Sequence, residues 1–497
     1  MARLLHTRGA GRGVIASAMA RVVLIRPPSQ MGDLVRIVSA QHPVNLLYLC
    51  ATLREHGFEP HLIDYEVDAY SDEDVCRRID EIAPLCVGVS CFTPQILAGH
   101  RIAEALRKAF PSLPLLIGGP HATALPRATL EEFPSFDAAV AGEGEETLVE
   151  VCSRLRDGRD LCGVAGTAHR AGGRVVEEAE RPRIAAYGDL PLPARDLLEM
   201  AKYPGAAKSG AAAGVYRTTQ VFTARGCPFP CTFCAISLVT TRTVRFRGAD
   251  SVRRELGECV SRYGIEHVNV HDDTFTVSAK RVADVSRSLG ESGVTWDCDT
   301  RVDTVTEEML RDMAAHGCVR VAFGVESGSE RMLKAMKKNV TRAQIRDAFG
   351  WARKYGITTS AYFIVGGHPD ETPEDVDQTR SLMHEIQPDF ANVAIGTPYP
   401  GTELYAQLAE RNLLLDRRWE RFMLYDRLPA WRTERFSPED LVRMQRDLIR
   451  EYFYRPAYVW RRLRKMRSWR ELPYWTRSAW IGLRYVLKGR EGYVASH

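Results

Sequence analysis

No stretch of this chain approaches the ~20 consecutive apolar residues of a membrane-spanning helix, so a helical integral membrane protein is excluded. An excess of one charge is missing too. There are 67 basic and 63 acidic residues, a net charge of +4, which gives no global electrostatic case for nucleic acid. A disulfide framework is absent: Cys50, Cys76, Cys86, Cys91, Cys152, Cys162, Cys259, Cys298 and Cys318 are scattered singly. That pattern suits a reducing cytoplasm. The first 18 residues carry Thr7, Arg8, Gly9, Gly11, Arg12 and Gly13 but no long apolar core, which argues against a secretory signal. They are expected to be a disordered extension, because Met19-Ala20-Arg21 repeats the opening Met1-Ala2-Arg3 just before the first strand.

What the chain does have is one dense group of thiols. Cys227, Cys231 and Cys234 are spaced C-x3-C-x2-C in Arg225-Gly226-Cys227-Pro228-Phe229-Pro230-Cys231-Thr232-Phe233-Cys234. A mostly apolar run, Gln220–Ala224, precedes them and predicts a strand. A structural zinc site needs a fourth ligand at finger-like spacing, and none follows. Three thiolates can hold an iron–sulfur cluster and leave one iron free. With 497 residues the chain has room for two or three domains.

This loop resembles that of the radical S-adenosylmethionine (SAM) enzymes. The resemblance implies a [4Fe–4S] cluster on Cys227, Cys231 and Cys234, with the free iron chelated by SAM. Reduction, by a donor such as flavodoxin or ferredoxin, would split SAM to a 5′-deoxyadenosyl radical.

Ahead of the loop, residues 19–156 alternate strands (Val22–Ile25, His61–Ile63, Cys86–Ser90, Leu115–Ile117, Ala138–Ala141) with helices (Leu46–His56, Asp72–Ile82, Ala98–Phe110, Glu146–Arg156). That alternation predicts an α/β fold, a doubly wound parallel sheet of Rossmann or flavodoxin type. Ligands in such sheets sit beyond the carboxyl ends of the strands. The loops there are Pro27-Pro28-Ser29-Gln30, Ser90-Cys91-Phe92-Thr93-Pro94, Gly118-Gly119-Pro120-His121-Ala122-Thr123 and Gly142-Glu143-Gly144-Glu145. Alone they would suit a nucleotide, a flavin or nothing. Placed before a radical SAM loop they resemble the cobalamin-binding domain of the B12-dependent radical SAM enzymes. The resemblance extends to His42-Pro43-Val44-Asn45-Leu46-Leu47-Tyr48-Leu49, although Asn45 stands where a glycine is common. It implies cobalamin contacts from Ser90, Thr93, Gly118, Gly119, His121, Thr123, Gly142 and Glu143. No D-x-H-x-x-G motif is present, so the cobalt would lack a histidine below it and bind base-off. A degenerate domain without cofactor is the plain alternative.

Residues 157–217 are expected to be a connector, with Gly172-Gly173, Pro191-Leu192-Pro193 and a small-residue tract at 205–214. Residues 218–415 predict six β/α units, with strands Gln220–Ala224, His267–His271, Thr295–Thr300, Val319–Gly324, Thr359–Val365 and Asn392–Ile395. Six units match the partial (β/α)6 barrel of the family. Its motifs fall at strand ends, where barrels place their chemistry. The resemblance assigns SAM contacts to Phe233, to Asp272 and Asp273 (amino group), Arg301 (the SAM carboxylate or the substrate), Glu326 and Ser327 (ribose and carboxylate) and Gly366 (adenine). Tyr399 in Pro398-Tyr399-Pro400-Gly401-Thr402 is a candidate cavity wall.

Residues 416–497 are expected to be helical. Between 451 and 497 eleven basic residues face three acids, with Trp460, Trp469, Trp475 and Trp480 among them. Such a segment can lie on a membrane surface, cap the barrel mouth or form a solvated basic face. The function expected is a C-methyltransferase that uses SAM, the cluster and methylcobalamin on an unactivated carbon of a small-molecule or lipid substrate. A radical cyclase or oxidase of the chlorophyll-precursor type shares the same motifs. A sensor or scaffold that binds the cofactors without turnover is the non-enzyme alternative.

Overall fold

The computed structural model describes residues 19–29, 41–203, 217–422 and 428–465. The N-terminal extension and Trp469, Trp475 and Trp480 lie outside the described residues.

Seven strands form the first sheet: β1 (Ala20–Arg26), β2 (Phe58–Asp64), β3 (Cys86–Ser90), β4 (Leu115–Gly118), β5 (Ala138–Val140), β6 (Thr167–Ala171) and β7 (Arg174–Glu177). Their order is β2-β1-β3-β4-β5-β6-β7. The first five are parallel, and two apolar clusters cover the two faces, as a doubly wound sheet requires. The order reverses between β1 and β3, the position at which such folds bind ligands. Part of the connector expected over residues 157–217 forms regular structure. Thr167–Glu177 forms an antiparallel hairpin on the β5 edge, and Gly172-Gly173 is its turn. Both glycines have positive φ (55° and 78°), as the preferred two-residue hairpin turn demands.

The second sheet is built from β8 (Thr218–Val221), β11 (His267–Val270), β12 (Thr295–Arg301), β13 (Cys318–Glu326), β14 (Thr358–Val365) and β15 (Phe390–Ile395), all parallel and in chain order. A short antiparallel pair, β9 (Ala224–Arg225) with β10 (Arg245–Phe246), flanks the cysteine loop. The single strand expected over Gln220–Ala224 is therefore broken at Phe222-Thr223. The backbone N–H groups of Thr223 and Ala224 are given to Asp272 instead of to a neighbouring strand.

Alternate residues of the second sheet divide sharply. Val268, Val270, Trp296, Cys298, Val321, Phe323, Ala361, Phe363 and Val393 join one apolar core. The opposite face is polar. There Asp297 meets His267 (3.2 Å) and Arg320 (3.3 Å), and Arg320 also donates to Ser360 (3.1 Å). Arg320 beside it, opposing its burial, holds the Asp297 carboxyl down at about 2.

Two C-terminal helices lie among the described residues. Helix Pro438–Phe453, started by a Ser437/Asp440 capping box with Pro438 in the first turn, runs along β15. Leu441 lies against Gly366 at the strand end, and Gln445 Nε2 donates to Val393 O at 2.7 Å. Helix Pro456–Lys465 then sits at the opposite end of the barrel. Tyr458 donates to Asp389 O, and Tyr452 and Arg461 reach Pro388 O, all just before β15 begins. Trp460 on this helix is 63% exposed.

Candidate functional site

The carboxyl ends of the two sheets face each other. The turn helix Pro120–Ala124 after β4 packs on Ile236–Val239, the turn that follows the cysteine loop. Ion pairs fix this approach. Arg225, two residues before Cys227, binds Glu145 (2.6 Å) and Glu143 (3.2 Å) of the first domain, and Arg245 binds both oxygens of Glu143 at 2.8 Å. The Arg225 guanidinium also lies 4.4 Å from the Tyr187 ring centroid.

The cysteine loop is held at many points. Cys227 N donates to Thr241 O, Cys234 N to Cys231 O, and Thr232 N to Met336 O. Phe233 is half-buried against the barrel core. Gly226 has φ +105°, and a Cβ there would fall 2.2 Å from Thr243 O. Gly226→Ala should therefore distort the loop and cut iron bound per chain several-fold after anaerobic reconstitution, and iron at the wild-type level would refute this. Burial pushes the Cys234 thiol up to about 12 and raises Cys231. Both thiols should stay protonated until a metal displaces the protons. Among the described residues no three His, Cys, Asp or Glu side chains converge as they would on one ion.

The other sequence-predicted SAM residues divide into two groups. Asp272 is fully engaged: its carboxylate accepts from Thr223 N, Ala224 N, the Thr223 hydroxyl and Arg281. With those sites filled it ties β8 to the loop and has no lone pair for an ammonium. Ser327 is likewise taken up by its turn, bonding Thr379 and Ser329 N. Asp273 holds Gly226 N and the Thr240 hydroxyl through one oxygen. Burial raises its pKa. Glu326 pairs with Lys338 at 2.8 Å, and its φ of +67° sits at an irregularity in β13. Such strain in a non-glycine residue gathers at functional sites. Gly366 also has positive φ, and its N–H donates to Glu371 at 2.5 Å. Burial raises the Glu371 carboxyl to about 8. Arg301 reaches Cys231 Sγ at 3.3 Å.

On the first-domain side the loops brace one another. Cys91 N donates to Gly118 O, and Gly142 N to the Thr123 hydroxyl. Gly119 has φ +88°, and the Ser90 hydroxyl and Cys91 backbone pack where a Cβ would stand. Gly142 carries the Arg183 guanidinium above it. Glu143 is occupied by its two arginines and Ile184 N, so it joins the domains and does not face a ligand. His121 is buried, with Nδ1 on the Thr93 hydroxyl at 3.2 Å, and burial lowers its pKa to about 4. Its Nε2 has no partner among the described residues, although Trp419 packs edge-on at 5.0 Å. A neutral imidazole with an unmet nitrogen fits a loop cluster that hydrogen-bonds a buried ligand.

Residues 221–383 match the family model of the radical SAM superfamily, and residues 33–152 match that of the B12 binding domain. An uncharacterized methyltransferase of Pyrococcus horikoshii is 33% identical over 441 residues, covering 88% of this chain and 94% of that protein. An anaerobic magnesium-protoporphyrin IX monomethyl ester cyclase of Cereibacter sphaeroides is 28% identical over 412 residues, 80% of this chain and 65% of that one. In fold, the cobalamin-dependent SAM radical enzyme OxsB, solved with aqua-cobalamin bound, agrees with a TM-score of 0.72 at 18% identity, covering 93% of this chain and 71% of that one. The chain belongs to the radical SAM superfamily, among the members that carry a B12-binding domain ahead of the radical SAM core.

Proposed function

We propose that this protein is a cobalamin-dependent radical SAM methyltransferase acting on an unactivated carbon. The observation that carries the reading is the packing of the His121 turn on Ile236–Val239, which directly follows the cysteine loop, locked by Arg225 and Arg245 on Glu143 and Glu145. It supports a shared site for the cobalamin-type loops and the cluster loop. When bound, the cluster with SAM supplies a carbon-centred radical, and cobalamin supplies a methyl group. The chain's own task is placement. Cys227, Cys231 and Cys234 would hold the cluster, Glu326 with Lys338 would meet the SAM ribose, and Gly366 would let adenine approach the backbone. Ser90, Thr93, Gly119 and His121 would contact cobalamin. Electrons would come from a small carrier such as flavodoxin or ferredoxin.

The polar inner face of the barrel supports a substrate with hydrogen-bonding groups over a hydrocarbon. Asp299, Arg320 and Ser360 lie on that face. The basic helix Pro456–Lys465 lies at the other end of the barrel, so a membrane contact through it would not bring lipid to the mouth. We therefore take the substrate to be a polar small molecule.

The test needs no substrate. Reconstituted protein loaded with reduced cobalamin and given SAM should release S-adenosylhomocysteine stoichiometric with cobalamin in a single turnover. Formation of 5′-deoxyadenosine with no S-adenosylhomocysteine would favour the cyclase reading, which the Cereibacter sphaeroides relative represents. His121→Ala should leave the cobalt absorption spectrum unchanged, because the histidine-ligand motif of other B12 proteins is missing from the chain. Histidine ligation that vanishes in this variant would contradict base-off binding.

A further inference from the structure

Arg301 is fixed on every side. Its Nε and Nη2 bind the two oxygens of Asp303 at 2.9 and 2.8 Å, and Nη2 also donates to Lys338 O at 2.6 Å. The guanidinium lies over the ring of Phe229, 3.8 Å from its centroid, and Phe229 itself stands inside the cysteine loop. The remaining nitrogen, Nη1, donates to Cys231 Sγ at 3.3 Å. A second side-chain contact to a loop sulfur, Thr274 Oγ1 at 3.4 Å from Cys227, differs in kind. The Thr274 hydroxyl proton goes to Asp273 O, so the cysteine thiol is the donor there, and that bond is lost when the thiol ionises. The Arg301 bond instead strengthens on ionisation, as a charge-assisted bond does.

Hydrogen bonds to ligand sulfurs are one of the levers that set an iron–sulfur potential. We propose that Arg301 is a positioning residue for the cluster: it fixes the Cys231 sulfur and raises the cluster's reduction potential, and it does not bind the SAM carboxylate. Asp303 neutralises the guanidinium, so the effect comes from a directed N–H and not from net charge. Lysine at this position keeps the charge but cannot hold Asp303, Lys338 O and the sulfur at once. The inference rests on the three cysteines holding the cluster.

The experiment is an EPR-monitored redox titration of the reconstituted full chain, with SAM, cobalamin and substrate left out. Arg301→Gln and Arg301→Lys should bind wild-type iron and sulfide. Their midpoints should fall so that the reduced-to-oxidised ratio at a given potential drops about tenfold, about 59 mV for one electron. Asp303→Asn should not lower the midpoint, because the Nη1–H to Cys231 stays and a negative charge is removed. Unchanged midpoints in fully loaded Arg301→Gln and Arg301→Lys would overturn the proposal, as would unchanged midpoints with SAM affinity weakened tenfold. If Arg301→Gln loses the cluster, Arg301→Lys decides. A wild-type chain that binds no cluster would instead defeat the assignment of the cysteines.

Discussion

Changing any one of Cys227, Cys231 and Cys234 to alanine should abolish both the cluster and SAM cleavage, with 5′-deoxyadenosine falling below detection. The expectation follows from the thiol inventory. Of the nine other cysteines, Cys50, Cys86, Cys91, Cys152, Cys259, Cys298 and Cys318 are buried within the protein, and none stands near the loop in sequence to substitute. Loss of one thiolate leaves too few anchors for a cube already short of a fourth. Iron and sulfide per chain, with the cluster's absorption, give the measurement. Normal iron in the triple variant would overturn the assignment of the site.

The second large effect is on stability. Glu255→Ala should destabilise the protein by about 3–5 kcal/mol in denaturant unfolding. Glu255 is fully buried and takes Arg195 at 2.6 Å on one oxygen and Arg247 on the other. These arginines are themselves buried; Arg195 also bonds Thr219 and Gln220 O, and Arg247 reaches Tyr48 of the first domain. Removing the carboxylate strands two guanidinium groups out of water. Burial opposes the Glu255 charge, yet its two arginines keep the pKa below the ordinary value. A carboxyl with a depressed folded pKa lends stability above its unfolded pKa and loses it as pH falls through the folded one. The gap between wild type and Glu255→Ala should therefore be widest near neutrality and close in acid. A loss under ~1 kcal/mol at pH 7 would show that water reaches the arginines.

Both parallel sheets are legible in the amino-acid order, and for a definite reason. Strand-to-loop motifs are local in sequence, so the alternation of strands and helices can be read from apolar periodicity. The chemistry of single side chains is less legible. The family resemblance makes Asp272 an ammonium acceptor, but its partners Thr223 and Arg281 come from elsewhere in the fold. Glu143 sits in a glycine-rich turn that resembles a ligand loop, yet Arg225 and Arg245, some 80 to 100 residues on, claim it. Lys338, Glu371 and Trp419 carry no motif. A lone Lys, Glu or Trp in sequence gives no sign of the buried partner that makes it matter. The hairpin β6–β7 is hidden because Gly172-Gly173 signals a linker and a tight turn equally well.

The helix Pro438–Phe453 has a consequence for how the protein is made. It covers the outer edge of β15, where Gln445 donates to a strand carbonyl that no neighbouring strand reaches. In chain order that edge is finished at Ile395, while its cover begins more than forty residues later. At ~5–20 residues per second on a ribosome, the sheet waits seconds with a parallel edge open. An open edge is a template for pairing with another chain. The vulnerable stage of this enzyme's life is thus late in its own synthesis, and slow translation between residues 396 and 453 should lower soluble yield without changing the folded product.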